Sequence, residues 1–377
     1  MADLFANESV RVSDADERRA LIALSLVPGL GTTLARVLVG VFGSASGVFL
    51  ASPQELQGVP RVGPRRARAI RSWDDWLAVE AQLHRAEASG AQLVAYADDA
   101  YPARLREIYD PPAFLWVRGR LDPADDLAVA IVGTRKSSDY GQRVAGALAG
   151  DLAGAGATVV SGLAYGVDIA AHRGALAAGG RTLAVLGSGV DVVYPSRHGR
   201  TVQEILDRDL GAVLSELPLG TEPAPPHFPT RNRIISGVSL ATVVAEARET
   251  GGALLTAALA LEQNRSVFAV PASAFADSQG TNRLIQAGAA ALATSAADVL
   301  REVAPQAGIA SAEPAPLPAD LTAIERRLLD ALSSEPRPLD AVCADAGLDT
   351  PSALVYLLQL EFRGLVRQLQ GKQFFRA

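Results

Sequence analysis

The chain has 377 residues, 49% hydrophobic and 20% charged, which is globular composition; at about 150 residues per domain it predicts two or three domains. Its net charge of −6 excludes a generally basic nucleic-acid coat, so nucleic-acid contact has to come from a local patch. Cys343 is the only cysteine, which excludes an internal disulfide and a thiolate metal cluster. No apolar run reaches the roughly 18 residues of a membrane span, and Met1–Ser9 lacks the pattern of a secretory signal, so a cytoplasmic protein without membrane contact is expected.

Residues 1–90 read as short helices with an internal repeat. Val27-Pro28-Gly29-Leu30-Gly31 with Ala35-Arg36 matches Val59-Pro60-Arg61-Val62-Gly63 with Ala67-Arg68. This is a helix-hairpin-helix pattern of a SAM-like helical domain, whose glycines let backbone N–H groups approach a phosphate. The second copy gathers Arg61, Arg65, Arg66, Arg68 and Arg71 with no acidic residue among them. Two readings stand side by side: a secondary, sequence-independent DNA patch, or a small packing or dimerisation module.

Residues 91–304 alternate short apolar, β-branched runs with helical stretches. The predicted strands are Ala128–Val132, Thr158–Ser161, Thr182–Leu186, Ala212–Ser215, Ala241–Ala245 and Val267–Val270. That alternation predicts an extended Rossmann-like α/β domain with a parallel sheet and ligands at the strands' carboxyl ends. Residues 305–319 form an Ala/Pro-rich linker. In residues 320–377, three predicted helices (Thr322–Leu332, Leu339–Ala346, Pro351–Phe362) and a hairpin turning at Gly371-Lys372 give a winged-helix domain. Its third helix has no basic side chain before Arg363, which favours protein interaction or weak DNA binding over groove reading.

The chemistry-bearing residues collect at the strand ends. Gly133-Thr134-Arg135-Lys136 ends the first predicted strand, and a helix starting near Tyr140 would add free N–H groups to an anion site. Ser161-Gly162 and Gly166 end the second. Asp168 there reads as a helix cap, with His172 one turn on as pocket wall. The third strand ends Gly187-Ser188-Gly189, followed by Tyr194 and Arg197. A Pro-stiffened polar loop carries Phe228, Arg231, Asn232 and Arg233. There one arginine is expected to anchor the loop on Glu216 or Glu246 while the other faces the ligand. Phe228 reads as a base-stacking platform or as a loop anchor. Gly251 and Thr256 mark a further glycine-led helix start.

Several signatures are missing from the sequence. It has no Gly-x-Gly-x-x-Gly with a ribose-binding acid, no Gly-Lys-Ser/Thr phosphate loop and no Gly-x-Ser-x-Gly elbow. Asp168, His172, Glu216 and Glu246 are candidate acids or bases, yet no nucleophile–base–orienter set emerges. The pocket reads as one that grips phosphate, with no catalytic residue, metal or cofactor assigned.

These blocks together resemble the DNA-processing protein A family (DprA/Smf). The resemblance runs from Tyr101-Pro102 and Pro111-Pro112 through Ser161–Asp168 with Ala171-His172, Leu186–Gly189 with Tyr194-Pro195, Phe228–Gly237 and Val267–Pro271 to Leu284–Ala289. It implies a non-enzymatic single-stranded DNA binder. Such a protein forms homodimers, protects incoming strands and loads RecA recombinase during natural transformation. By position, Gly133–Lys136 and Arg231–Arg233 would line the DNA pocket. Leu284 and Ile285 would form the dimer contact, with burial in the monomer core as the other reading. Ala272 replaces a glycine common after Val-Pro. Ser196-Arg197 stands where many members have lysine after Tyr-Pro, leaving Arg197 as a substitute phosphate contact. The alternative is a nucleotide-binding or nucleotide-hydrolysing enzyme of a related Rossmann-like family. Binding of duplex DNA is left open.

Overall fold

The computed structural model describes residues 14–304, 321–333, 336–369 and 372–376. The predicted linker and Gly371 of the expected hairpin turn lie outside the described residues, as does the Met1–Ser9 segment. The chain divides into two compact units on either side of Ser311.

The first unit is built on a nine-stranded sheet. Its strands are β1 (Ala91–Ala95), β2 (Phe114–Gly119), β3 (Ala128–Gly133), β4 (Thr158–Ser161), β5 (Thr182–Val185), β6 (Gly211–Ser215), β7 (Ala241–Glu246), β8 (Ser266–Ala269) and β9 (Ala291–Leu292). Their order is β1-β2-β6-β5-β4-β3-β7-β8-β9. From β6 to β9 all neighbours are parallel, while β2 pairs antiparallel with β6 and β1 with β2. All six predicted strands are present. β3, β4, β5, β6 and β7 are buried along nearly their whole length, as expected for a sheet covered on both faces. The chain lays β4, β5 and β6 to one side of β3, then reverses and lays β7, β8 and β9 to the other. The gap between the ends of β3 and β7 is therefore a topological switch point, where such sheets open a crevice.

Six helices precede β1: Asp14–Leu26, Gly31–Phe42, Ala45–Leu50, Pro53–Gln57, Pro64–Arg71 and Trp76–Ser89. The two hairpins of the repeat correspond in backbone. Gly29 (φ +79°) and Arg61 (φ +71°) hold the same left-handed conformation at matching positions. Leu24, Leu38 and Val48 of these helices belong to one buried cluster with Trp116, Leu186 and Val213 of the sheet domain. The predicted boundary at residue 90 is thus a change of architecture inside one core.

The second unit contains helices Ala323–Asp330, Leu339–Ala346 and Thr350–Phe362 and a three-stranded antiparallel sheet. Its strands are β10 (Arg337–Pro338), β11 (Val366–Leu369) and β12 (Gln373–Arg376), in the order β10-β12-β11. Leu328, Val342, Leu357 and Phe374 fill its core, and Cys343 is buried there. The third helix exposes Val355, Leu358 and Phe362, an apolar stripe at helical spacing. No helix of the described residues is long and apolar enough to cross a membrane.

Candidate nucleic-acid interface

The loop after β3 is held by its neighbours. Thr134 N–H donates to Glu246 O (2.8 Å), and Val167 N–H donates to Thr134 O (3.4 Å). A Cβ on Gly133 would fall 2.4 Å from Val167 Cγ2, and one on Gly166 (φ +77°) 2.3 Å from Thr134 O. Both positions require glycine because strand ends and loop backbone pack without room for a side chain. Lys136 N–H donates to Thr134 Oγ1 (3.2 Å). The Glu246 carboxylate accepts from Ser138 N–H (2.9 Å), Ser138 Oγ (3.0 Å) and Ser278 Oγ (2.6 Å). What this frame leaves outside is the Arg135 side chain, exposed, its guanidinium 4.6 Å from the centre of the Phe228 ring.

One expectation changes here. The Asp139–Gly154 helix does not offer its start to an anion, because Ser138 caps it by accepting from Gly141 N–H (3.0 Å). The open helix start belongs to Gly252–Glu262, whose N-cap, Gly251, has no capping side chain. That terminus carries partial positive charge and unpaired N–H groups.

Between these elements, at the switch point, lies a cavity of about 650 Å³. Gly133, Thr134, Arg135, Phe228, Arg231, Asn232, Gly251 and Thr256 line it, and so do Asp168, Tyr194 and Arg248. Arg248 escaped the sequence reading, although it follows β7 as Arg135 follows β3.

The segment expected as a polar loop is a helix, His227–Gly237. Prolines 225, 226 and 229 suggest a loop, but a helix's first turn tolerates proline because its N–H groups have no intrahelical partner. Successive residues on a helix turn by about 100°, so Arg231 and Arg233 leave in nearly opposite directions. Arg233 is the anchor, bonded to Asp110 (2.9 Å) and Glu216 (2.7 Å). Arg231, 5% exposed, reaches the cavity floor, donating to Gly162 O (2.7 Å), Val185 O and Asn232 Oδ1 (3.2 Å). Gly162 makes room for it, since a Cβ there would lie 2.4 Å from Nη1. Burial lowers the Arg231 pKa to about 10, with Asp168 opposing the shift, so it stays cationic at neutral pH. Burial raises the pKa of Asp168, against the pull of Arg231.

Ser161, Gly187, Ser188, Gly189 and Arg197 do not line the cavity. Ser161 Oγ donates to Ile131 O (2.6 Å), and Ser188 Oγ to Val192 O (2.6 Å). Gly189 N–H donates to Thr221 O (2.8 Å). Gly187 lies under Phe228, where a Cβ would meet the ring at 2.8 Å. These serine hydroxyls and glycine backbones are consumed in packing the strand ends. Arg197 is exposed, 5.3 Å from the Tyr165 ring centre. Asp168 is not a helix cap; it lies within the Val167–Ala177 helix and accepts from Ala164 N–H (3.3 Å).

His172 does not face the cavity. It is fully buried, with Nδ1 2.7 Å from Thr182 Oγ1. The Thr182 hydroxyl donates to Val159 O, so it accepts from His172 Nδ1–H. Burial, reinforced by His198 and Arg231, lowers the His172 pKa to about 3. The unfolded chain protonates this imidazole near its ordinary value while the folded chain keeps it neutral, so stability is lost as pH falls below about 6.5. This group alone is expected to remove about 2 kcal/mol between pH 8 and pH 5. Urea midpoints of wild type and His172→Gln across that range check this, and equal pH slopes would refute it.

Elsewhere in the first unit, Arg66 staples the two hairpins through Gly29 O (2.8 Å) and Arg61 O (2.6 Å), whereas Arg61, Arg65 and Arg68 are exposed. Leu284 and Ile285, on the Gly280–Gln286 helix, are half-buried against the core. Among the described residues no group of His, Cys, Asp and Glu has the makings of a metal site.

Residues 92–304 match the family model for DNA recombination-mediator protein A, and residues 312–372 match that for the DprA winged helix domain. Protein Smf of Synechocystis sp. is 34% identical over 395 residues, covering 96% of this chain and 99% of that protein. DNA processing protein DprA of Streptococcus pneumoniae is 45% identical over 210 residues, 54% of this chain and 72% of that one. The X-ray structure of DNA processing protein A from Streptococcus pneumoniae aligns with a TM-score of 0.64 at 32% identity, covering 78% of this chain and 98% of that chain.

Proposed function

The chain belongs to the DNA recombination-mediator protein A family, and from that premise we propose that it grips the phosphate backbone of single-stranded DNA in the cavity between the ends of β3 and β7. The observation that carries this reading is convergence. Three arginines (Arg135, Arg231, Arg248) and the open start of the Gly252–Glu262 helix meet at one cavity. Arginine and helix amides are the two common phosphate ligands. Tyr194 and Phe228 beside them, ring centres 6.0 Å apart, offer π-faces to an unpaired base. A duplex keeps its bases stacked inside and has no use for such a recess.

The proposed role is non-catalytic. Of the candidate acids and bases, Glu246 is spent on Ser138 and Ser278, Glu216 on Arg233 and Thr32, and His172 on Thr182. In the cytoplasm the chain would protect incoming strands and load a RecA recombinase on them during natural transformation. It would act as a homodimer through the helix carrying Leu284 and Ile285, a reading that its mass in solution tests. Fluorescence anisotropy of a labelled oligothymidylate tests the binding itself. With three phosphates neutralised, the log–log slope of affinity against salt is expected near −2, at about −0.7 per phosphate. Affinity independent of salt would remove the backbone-grip reading.

A further inference from the structure

A second cavity, of about 320 Å³, lies between the first hairpin and the sheet domain. We propose that it is a second phosphate site, which takes the backbone phosphate following the nucleotide held in the strand-end cavity. The inference rests on the single-strand reading above and extends its path toward the N-terminal helices.

Three observations carry it. First, Arg231 lines both cavities, so they share a wall. Its Nε and Nη1 are committed to Asn232, Gly162 and Val185, while Nη2 has no hydrogen-bond partner among the described residues. A guanidinium 5% exposed, with a free donor edge and a place on the wall of both cavities, is a buried cation that an anion between them can use.

Second, Arg61 also lines this cavity. It holds a left-handed backbone (φ +71°), the conformation that Gly29 holds at the matching position of the first hairpin. A side chain kept where glycine fits better is a candidate for a functional constraint. Its location separates Arg61 from Arg65 and Arg68, which do not line this cavity.

Third, the remaining wall offers donors. The 12-residue Gly31–Phe42 helix opens into the cavity without a side-chain cap. His227, which also lines it, has a buried Nδ1 with no partner. Glu216 borders the same space, and its Oε2 accepts from Arg233 (2.7 Å) and from the Thr32 hydroxyl (2.5 Å). Set against that one carboxylate are two arginines, Arg61 and Arg231, a helix start and an unpaired imidazole nitrogen, a lining that suits a phosphodiester.

The test uses the full chain, the variants Arg61→Gly and Thr230→Glu, and two probes. One probe is thymidine 5′-monophosphate, a single nucleotide that carries no following phosphate. The other is an oligothymidylate of about 20 nucleotides, longer than a footprint of roughly 4–16. Glycine keeps the left-handed backbone and the Arg61 carbonyl that Arg66 uses, so the first variant retains the hairpin. Thr230, exposed at the cavity's edge, places a repelling charge there when changed to glutamate. Both variants are expected to weaken the long strand about 10-fold, the loss of one charge-assisted contact, and Arg61→Gly to reduce the salt slope by about 0.7. Binding of the mononucleotide is expected to stay at the wild-type level. If both variants bind the long strand like wild type while Arg135→Ala does not, the second site is wrong and the strand-end reading stands. If Arg135→Ala also binds both probes like wild type, the strand-end reading falls and this inference with it.

Discussion

Replacing Arg135 by alanine is expected to weaken single-strand binding by about 1.5–3 kcal/mol, roughly 10- to 150-fold, with little change in stability. The side chain is exposed, and its only described contact is with the Phe228 ring. A cation–π contact at an exposed site is worth about 0.5–1 kcal/mol, so that is the upper bound on lost stability. The loop itself stays in place because its geometry rests on the Thr134 backbone, Ser138 and the Glu246 carboxylate. Anisotropy titration and thermal melting of the same preparation separate the two quantities. Wild-type affinity in a folded Arg135→Ala protein would remove this loop from the binding site.

Arg231→Met is expected to behave differently, losing binding and stability together. Its guanidinium is the hydrogen-bond donor to two buried carbonyls, Gly162 O and Val185 O. A buried acceptor left unpaired costs about 1–3 kcal/mol, so a loss of about 3 kcal/mol or more is expected. Asp168 would also lose the cation that opposes the upward shift of its pKa, favouring its neutral form further. Lysine is not expected to rescue the variant, because a point ammonium cannot reproduce the planar fork that reaches Gly162, Val185 and Asn232 at once. Urea denaturation read beside anisotropy checks this. Unchanged midpoints would show that the guanidinium does not brace the strand ends.

The contrast between these two arginines shows what was legible in the sequence. Arg135 follows a continuous apolar strand and a glycine, and that pattern suffices to place it at a strand end. The six central strands were readable for the same reason, since burial on both faces leaves unbroken runs such as Ala128–Val132. Arg231 and Arg233 sit in a segment whose prolines and polar residues read as loop. Only the helix reveals that one faces the cavity and the other Glu216. Strands β1 and β2 lack the glycine-led loop and helix that mark a parallel unit, and β9 has only two residues.

Ser161 and Ser188 stand in glycine-bearing strand ends, which the sequence marks as ligand-facing. The structure uses both against neighbouring backbone carbonyls, a competition that spacing alone does not show. The repeat in residues 1–90 suggested a separable domain. Its buried leucines belong to the same core as Trp116, so a truncation near residue 90 would expose apolar surface and report on folding as much as on binding.

A crystal structure of the chain with a bound oligothymidylate tests the central claim most directly. The expected result is a phosphate between the Arg135 guanidinium and the N–H groups at the start of the Gly252–Glu262 helix, with a base against Tyr194 or Phe228. A strand lying on Arg65 and Arg68, or on the Thr350–Phe362 helix, with the strand-end cavity empty, would contradict it.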